Sequence, residues 1–210
     1  IQEELAQTLE RIKIKGRDGF YKGETAKHLV ITVQKSGGII CEKDLEEYQV
    51  VWRSPIETKY RSYRVVSMPP PSSGGIALAQ LLELIEPFNP GALGFHSPES
   101  IHLMVEAERR VYADRAKFLG DSDFFDVPAS TLLDSSYLSA KMKDFDPGFA
   151  TKSSSIQSYD LPDREHFETT HTSVVDKNRM AVSVTTTLNS NYGSKVLVEG
   201  GGFFLNNEMD

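Results

Sequence analysis

The segment TTHTSVVDKNRMAVSVTTTL, residues 169–188, holds hydroxyl-bearing and β-branched residues on both sides of a short polar break and alternates cleanly in its second half. A period of two sends successive side chains to opposite faces, so each half reads as a strand. In the second half Val182, Val184, Thr186 and Leu188 share one face; Ala181, Ser183, Thr185 and Thr187 share the other. Lys177-Asn178-Arg179 is the turn between them. A three-residue loop opposes Asp176 to Met180 and Thr169 to Thr187. A loop one residue different moves the partner of Thr169 to Leu188 or Thr186. The pattern alone fits two descriptions. One is a half-buried hairpin using Thr for its β propensity and its cross-strand pairs. The other is a nucleophile with a supporting hydroxyl. His171 alone reads as a hydrogen-bonded structural residue.

The chain has 210 residues and a formal net charge of -7. That charge, with no basic stripe, argues against a nucleic-acid partner, because neutralising phosphates requires clustered Lys and Arg. No apolar run approaches the roughly 20 residues of a membrane span. Cys41 is the single cysteine, so an intrachain disulfide is excluded, and no Cys/His cluster offers a metal site. Both ends read as internal to a longer protein: Ile1, Leu5, Leu9 and Ile12 follow helical spacing without a preceding cap, and the chain stops at GGFFLNNEMD without a closing element.

Between these ends the first helix closes near Gly16, a second closes at Gly37-Gly38, and CEKDLEEY forms a short acidic helix. IETKYRSYRVVSM reads as a hairpin, and PPPSSGG as a tight turn opening the helix IALAQLLELIE, which Pro87 stops. Ser97 caps a long helix with Pro98 in its first turn and Gly120 just past its end; Ile101, Met104, Val105, Tyr112, Ala116 and Leu119 are its expected apolar stripe. A further helix is expected over 132–143, and a polar, mobile loop over 150–166.

FYKGETA, MPPPSSGGIALAQLLELIEPF, AERRVYADRAKFLGD, TTHTSVVD, AVSVTTTLN and FFLNNEMD occur in that order. Together they resemble the γ-glutamyltransferase (γ-glutamyltranspeptidase) family along essentially the whole chain. The resemblance implies an α+β protein with the N-terminal nucleophile (Ntn) hydrolase fold, a four-layer αββα sandwich of which this chain is a part. It implies a precursor that cuts itself between Glu168 and Thr169. Residues 1–168 are then the C-terminal part of a large subunit, with 150–168 a mobile linker, and 169–210 begin a small subunit. Thr169 is the implied nucleophile and Thr187 the threonine that hydrogen-bonds it. Asn189 and Glu208 match positions that bind the amino side of a glutamyl head. The family's matching Asp and its carboxylate-binding serines lie after Asp210, as does its oxyanion-hole glycine pair; its carboxylate-binding Arg lies before Ile1. YADR, residues 112–115, is expected to supply structural hydrogen bonds and ion pairs between helix and sheet. Relatives often carry Asp-Gly in the hairpin turn; here Asn178 is expected to take the positive φ.

The resemblance implies γ-glutamyl transfer from glutathione or another γ-glutamyl compound to an amino acid, a dipeptide or water, with no metal or cofactor. The alternatives are a cephalosporin (glutaryl) acylase, a poly-γ-glutamate depolymerase, or a non-catalytic paralogue. Family members are periplasmic, secreted or surface-bound. The chemistry suits an N-terminal threonine. A free α-amino group has a pKa of about 7.7–8.0, against about 10.4 for lysine, so one residue supplies both nucleophile and base.

Overall fold

A computed structural model describes residues 1–156 and 169–208. In chain order its elements are α1 (Glu3–Lys15), α2 (Asp18–Tyr21), α3 (Gly23–Lys35), α4 (Glu42–Glu47), β1 (Ile56–Tyr60), β2 (Tyr63–Ser67), α5 (Gly74–Ile85), α6 (Pro98–Phe118), α7 (Ala129–Leu132), α8 (Ser135–Lys141), β3 (Thr169–Val175) and β4 (Ala181–Thr187). Short 3-10 turns follow α5 and precede the segment leading to β3. The described strands pair as two antiparallel hairpins, β1–β2 and β3–β4, so the chain is α+β. Its described residues fall into two compact units, 1–51 with 169–208, and 52–156.

In the first unit, Gly16 closes α1 at φ +57° and Gly37 follows α3 at φ +83°. Leu29 and Val33 of α3 share a core with Val198, which is fully buried, and Phe20, Leu45, Phe203 and Leu205 pack around them. Thr8, buried on α1, donates to Gly201 O at 2.9 Å. Residues 198–205 are therefore anchored on the helices by both apolar packing and a buried hydrogen bond. Along α1 the expected stripe is only partly used, since Ile1 and Leu9 are exposed.

The second unit is built on α6. Ser97 Oγ accepts from Ser100 N at 3.1 Å, the expected cap. The expected stripe is not its buried face, however: Ile101, Met104, Val105 and Tyr112 are exposed, whereas Leu103, Glu106, Ala107, Arg110, Val111 and Asp114 are buried. That face also has helical spacing, and its charges are internally paired. Arg110 Nε donates to Lys141 O; its Nη1 donates to Glu106 O and Oε2; its Nη2 donates to Asp144 Oδ1 and Thr151 Oγ1. Every guanidinium donor thus has an acceptor, the condition for burying a charge. Asp114 accepts from Gln80 on α5, and from Tyr137 and Lys141 on α8. These bonds run from helix to helix rather than from helix to sheet.

Leu84, Ile85, Leu103, Ala107, Val111, Leu138 and Met142 form the apolar core beside this network. The close packing expected of PPPSSGG is present: a Cβ on Gly75 would lie 1.9 Å from Met68 O. Ser73 Oγ also accepts from Arg115 Nε at 2.9 Å. The single helix expected over 132–143 is instead α7 and α8, because Asp134 restarts the helix by accepting from Ser136 N and Tyr137 N. The start of the expected mobile loop is also tied down. Thr151 bonds Arg110, Ser153 bonds Arg109, and Ile156 is buried. Residues 157–168 lie outside the described residues.

Burial by itself would raise the Glu106 pKa, but hydrogen bonds from Arg110, Thr151 and Arg109 outweigh it and lower the value from 4.5 to about 2. A depressed folded-state pKa means the stabilisation is present above about pH 4.5 and is lost as pH falls toward 2. Glu106→Ala is expected to cost about 3–5 kcal/mol in urea unfolding, because it removes the buried carboxylate that pairs both Arg109 and Arg110. The variant should also show a flatter stability profile than the parent between those pH values.

Candidate active site

The β3–β4 hairpin is closed by Asp176. Its N donates to Met180 O at 2.9 Å, and Arg179 N donates to Asp176 O at 3.0 Å. Its carboxylate Oδ1 accepts from Asn178 N and Met180 N, both at 2.8 Å. The loop is therefore Lys177–Arg179, with Arg179 at φ +67°. The expectation of a positive φ at Asn178 is corrected. In a three-residue hairpin loop the first two residues complete a type I turn, and the third takes the left-handed conformation.

This turn sets the register. Thr169 opposes Thr187, His171 opposes Thr185, and Ser173 opposes Ser183. The open choice of partner for Thr169 is thereby resolved in favour of Thr187. Odd-numbered residues of both strands lie on one face. On that face His171 is a hydrogen-bonding hub: Nδ1 lies 2.8 Å from Thr185 Oγ1, and Nε2 lies 2.9 Å from Ser183 Oγ and 3.1 Å from Ser173 Oγ. The structural reading of His171 fits these bonds. Within this stretch of chain Val174, Val175, Val182 and Val184 are 58%, 67%, 51% and 49% exposed. A two-stranded ribbon cannot bury either face by itself.

Beyond β4 the chain turns sharply. Asn189 takes φ +73°, and its N donates to Thr187 Oγ1 at 2.9 Å. The backbone thereby orients the Thr187 hydroxyl. Residues 205–208 return alongside this turn: Ser194 N donates to Leu205 O at 2.9 Å, and Asn207 N to Leu188 O at 3.2 Å. Glu208 follows, exposed, with its N donating to Asn206 Oδ1 at 3.0 Å. Gly193 allows the close approach; at φ +56°, a Cβ there would lie 2.1 Å from Leu205 O. An open cleft of about 580 Å³ is lined by Thr170, Thr186, Thr187, Ser190 and Tyr192 among others. Glu168 lies outside the described residues. Among the described residues no group of three or more His, Cys, Asp or Glu side chains is placed to hold a metal ion.

A family model described as γ-glutamyltranspeptidase matches residues 1–210. The chain belongs to this family. It is 44% identical over its full length to glutathione hydrolase proenzymes of a Pseudomonas species and of Escherichia coli, and covers 36% of each. The crystal structure of Helicobacter pylori γ-glutamyltranspeptidase is similar with a TM-score of 0.70 and 38% identity, over 77% of this chain and 48% of that one. The chain thus spans about a third of the length of these curated relatives.

For a γ-glutamyltranspeptidase, the structure puts Thr169 opposite Thr187 and joins Thr187 to Asn189 directly. Glu208 reaches the same end of the hairpin indirectly, through its neighbour Asn207. Asn207, Ser190 and Gly193 were missed as candidate residues; the signal for them is the Asn-Asn pair before Glu208 and the Asn-Tyr-Gly turn after Ser190. Gly193→Ala is expected to destabilise the unit by about 1–3 kcal/mol, because the new methyl meets backbone that cannot rotate away. Thermal unfolding measures this, and an unchanged midpoint would contradict the close approach.

Proposed function

We propose that Thr169 becomes the N-terminal residue of a small subunit and carries γ-glutamyl groups as an ester. The observation that carries this reading is the register opposing Thr169 to Thr187, in a chain that belongs to the γ-glutamyltranspeptidase family over its whole length. In the precursor the Thr169 nitrogen is an amide and cannot act as a base. Its Oγ attacks the Glu168 carbonyl carbon, the Glu168–Thr169 peptide bond breaks, and the resulting ester is opened by water. The freed α-amine then takes the Oγ proton when a substrate is attacked. Thr187, oriented by Asn189 N, gives its hydroxyl hydrogen to the nucleophile oxygen and stabilises charge there.

The donor is glutathione or a related γ-glutamyl amide. Its acyl group passes to Thr169 as the amine leaves, and then to water, an amino acid or a dipeptide. Asn189 and Glu208 accept from the α-ammonium group of the donor, a charge-assisted arrangement. Residues 1–168 belong to the large subunit and 169–210 to the small subunit of one αββα Ntn hydrolase, working in the periplasm, at the cell surface or outside the cell. The acyl transfer itself needs only nucleophile, base and oxyanion donors, so the mechanism calls for no metal or redox group.

Thr169→Ala is expected to abolish both self-cutting and turnover of γ-glutamyl-p-nitroanilide by the full-length protein. Retained turnover would refute the nucleophile assignment. Thr187→Val should cut itself more slowly and lose on the order of a hundredfold in kcat, the usual cost of one oxyanion-type donor. Rates with and without a dipeptide acceptor separate transfer from hydrolysis. Faster release from a glutaryl than from a γ-glutamyl anilide would favour the acylase reading.

A further inference from the structure

We propose that Asn207 is a positioning residue that sets the spacing between Asn189 and Glu208, and so selects donors that carry an α-ammonium group. The inference rests on the reading of Asn189 and Glu208 as the residues that bind the glutamyl head.

Asn207 bonds to the residues on both sides of Asn189. Its own N donates to Leu188 O at 3.2 Å. Its Oδ1 accepts from Ser190 N at 3.0 Å, and its Nδ2 donates to Ser190 Oγ at 3.0 Å. The amide orientation is unambiguous, because a backbone N–H can only donate and must face Oδ1. Glu208 is the next residue along the chain. Three hydrogen bonds therefore hold the backbone of Glu208 against a turn whose apex is Asn189, itself at φ +73°.

No other short side chain reproduces this clamp. Aspartate would need the Ser190 hydroxyl turned round to donate and would bring a charge the amide lacks, serine is too short to reach both groups, and glutamine carries its amide one carbon further out. The nucleophile side is built differently. Thr169 and Thr187 are held by the ladder of the β3–β4 hairpin, which Asn207 does not enter; the clamp meets Thr187 only through the Asn189 N–H. Loosening the clamp thus acts first on the head-binding residues, while the ladder still fixes Thr169 opposite Thr187. An ammonium held by two acceptors loses its grip when they drift apart, because charge-assisted hydrogen bonds weaken steeply with distance and angle. A donor lacking the ammonium has nothing to lose there.

The test uses the full-length, self-cut protein with Asn207→Ala and, separately, Ser190→Ala, which removes a single bond of the clamp. Asn207→Ala is expected to raise the KM for γ-glutamyl-p-nitroanilide on the order of tenfold with kcat within about twofold, the mark of lost binding rather than lost chemistry. Its preference for L-glutamate over glutarate as competitive inhibitor should shrink by a similar factor. Ser190→Ala should shift both quantities the same way by less, and it decides the matter if Asn207→Ala does not fold. A fall in kcat at unchanged KM, an equal weakening of glutamate and glutarate, or no change at all would overturn the proposal. A wild-type protein that distinguishes glutamate from glutarate while both variants match it refutes Asn207 alone. A wild-type protein that does not distinguish them refutes the head-binding reading, and this inference with it.

Discussion

The arrangement depends on the turn at Asp176. One carboxylate oxygen takes two backbone N–H groups, and the loop it closes has three residues rather than two or four. In an antiparallel pair this choice propagates along the whole ladder, because a slip of one residue exchanges the faces of every side chain. The register that results opposes Thr169 to Thr187 and lines His171, Thr185, Ser173 and Ser183 along the same face. A hydroxyl-rich strand pair thereby becomes an ordered row of hydrogen-bonding groups. The threonine pair stands at the end of that row away from the turn.

What holds the surroundings differs between the two units. In the first, the segment following the hairpin is pinned by Val198 in an apolar core and by Thr8 on Gly201 O, so the turn at Asn189 and the return through Asn207 start from a fixed base. In the second, α6 buries an ionic face. Arg110 and Glu106 would be costly alone, and are tolerable because each donor and acceptor is met. That network also reaches Thr151 and, through Arg109, Ser153, so the chain leading toward residue 157 leaves from a tethered position.

Much of this was legible in the sequence. The hairpin was, because the alternation of the second strand and a short polar break admit few registers; counting across the loop left Thr186, Thr187 and Leu188 as partners of Thr169, and the turn at Asp176 selects Thr187. The caps at Ser97, Gly16 and Gly37 were legible for the local reasons that make them caps. The buried face of α6 was not. Two stripes share its helical spacing, and hydropathy favours Ile101, Met104 and Val105, whereas mutual charge satisfaction puts Glu106, Arg110 and Asp114 inside. The break at Asp134 was legible in the Asp-Ser-Ser run, a helix-start signal that reading 132–143 as one helix passed over. Arg179 was passed over because Asn is the commoner left-handed residue, although loop length decides the position. Asn207 could not be found from spacing, since its partners lie across a return of the chain that no periodicity announces. The roles of Thr169, Thr187, Asn189 and Glu208 came from family resemblance rather than from pattern.

The central claim is that Thr169 is a concealed N-terminus. N-terminal sequencing and intact-mass analysis of the purified full-length protein test it most directly. The account predicts two chains after incubation, the smaller beginning at Thr169 with a free α-amine. A small chain beginning at any other residue, or a protein that hydrolyses γ-glutamyl amides while remaining a single uncut chain, would contradict it.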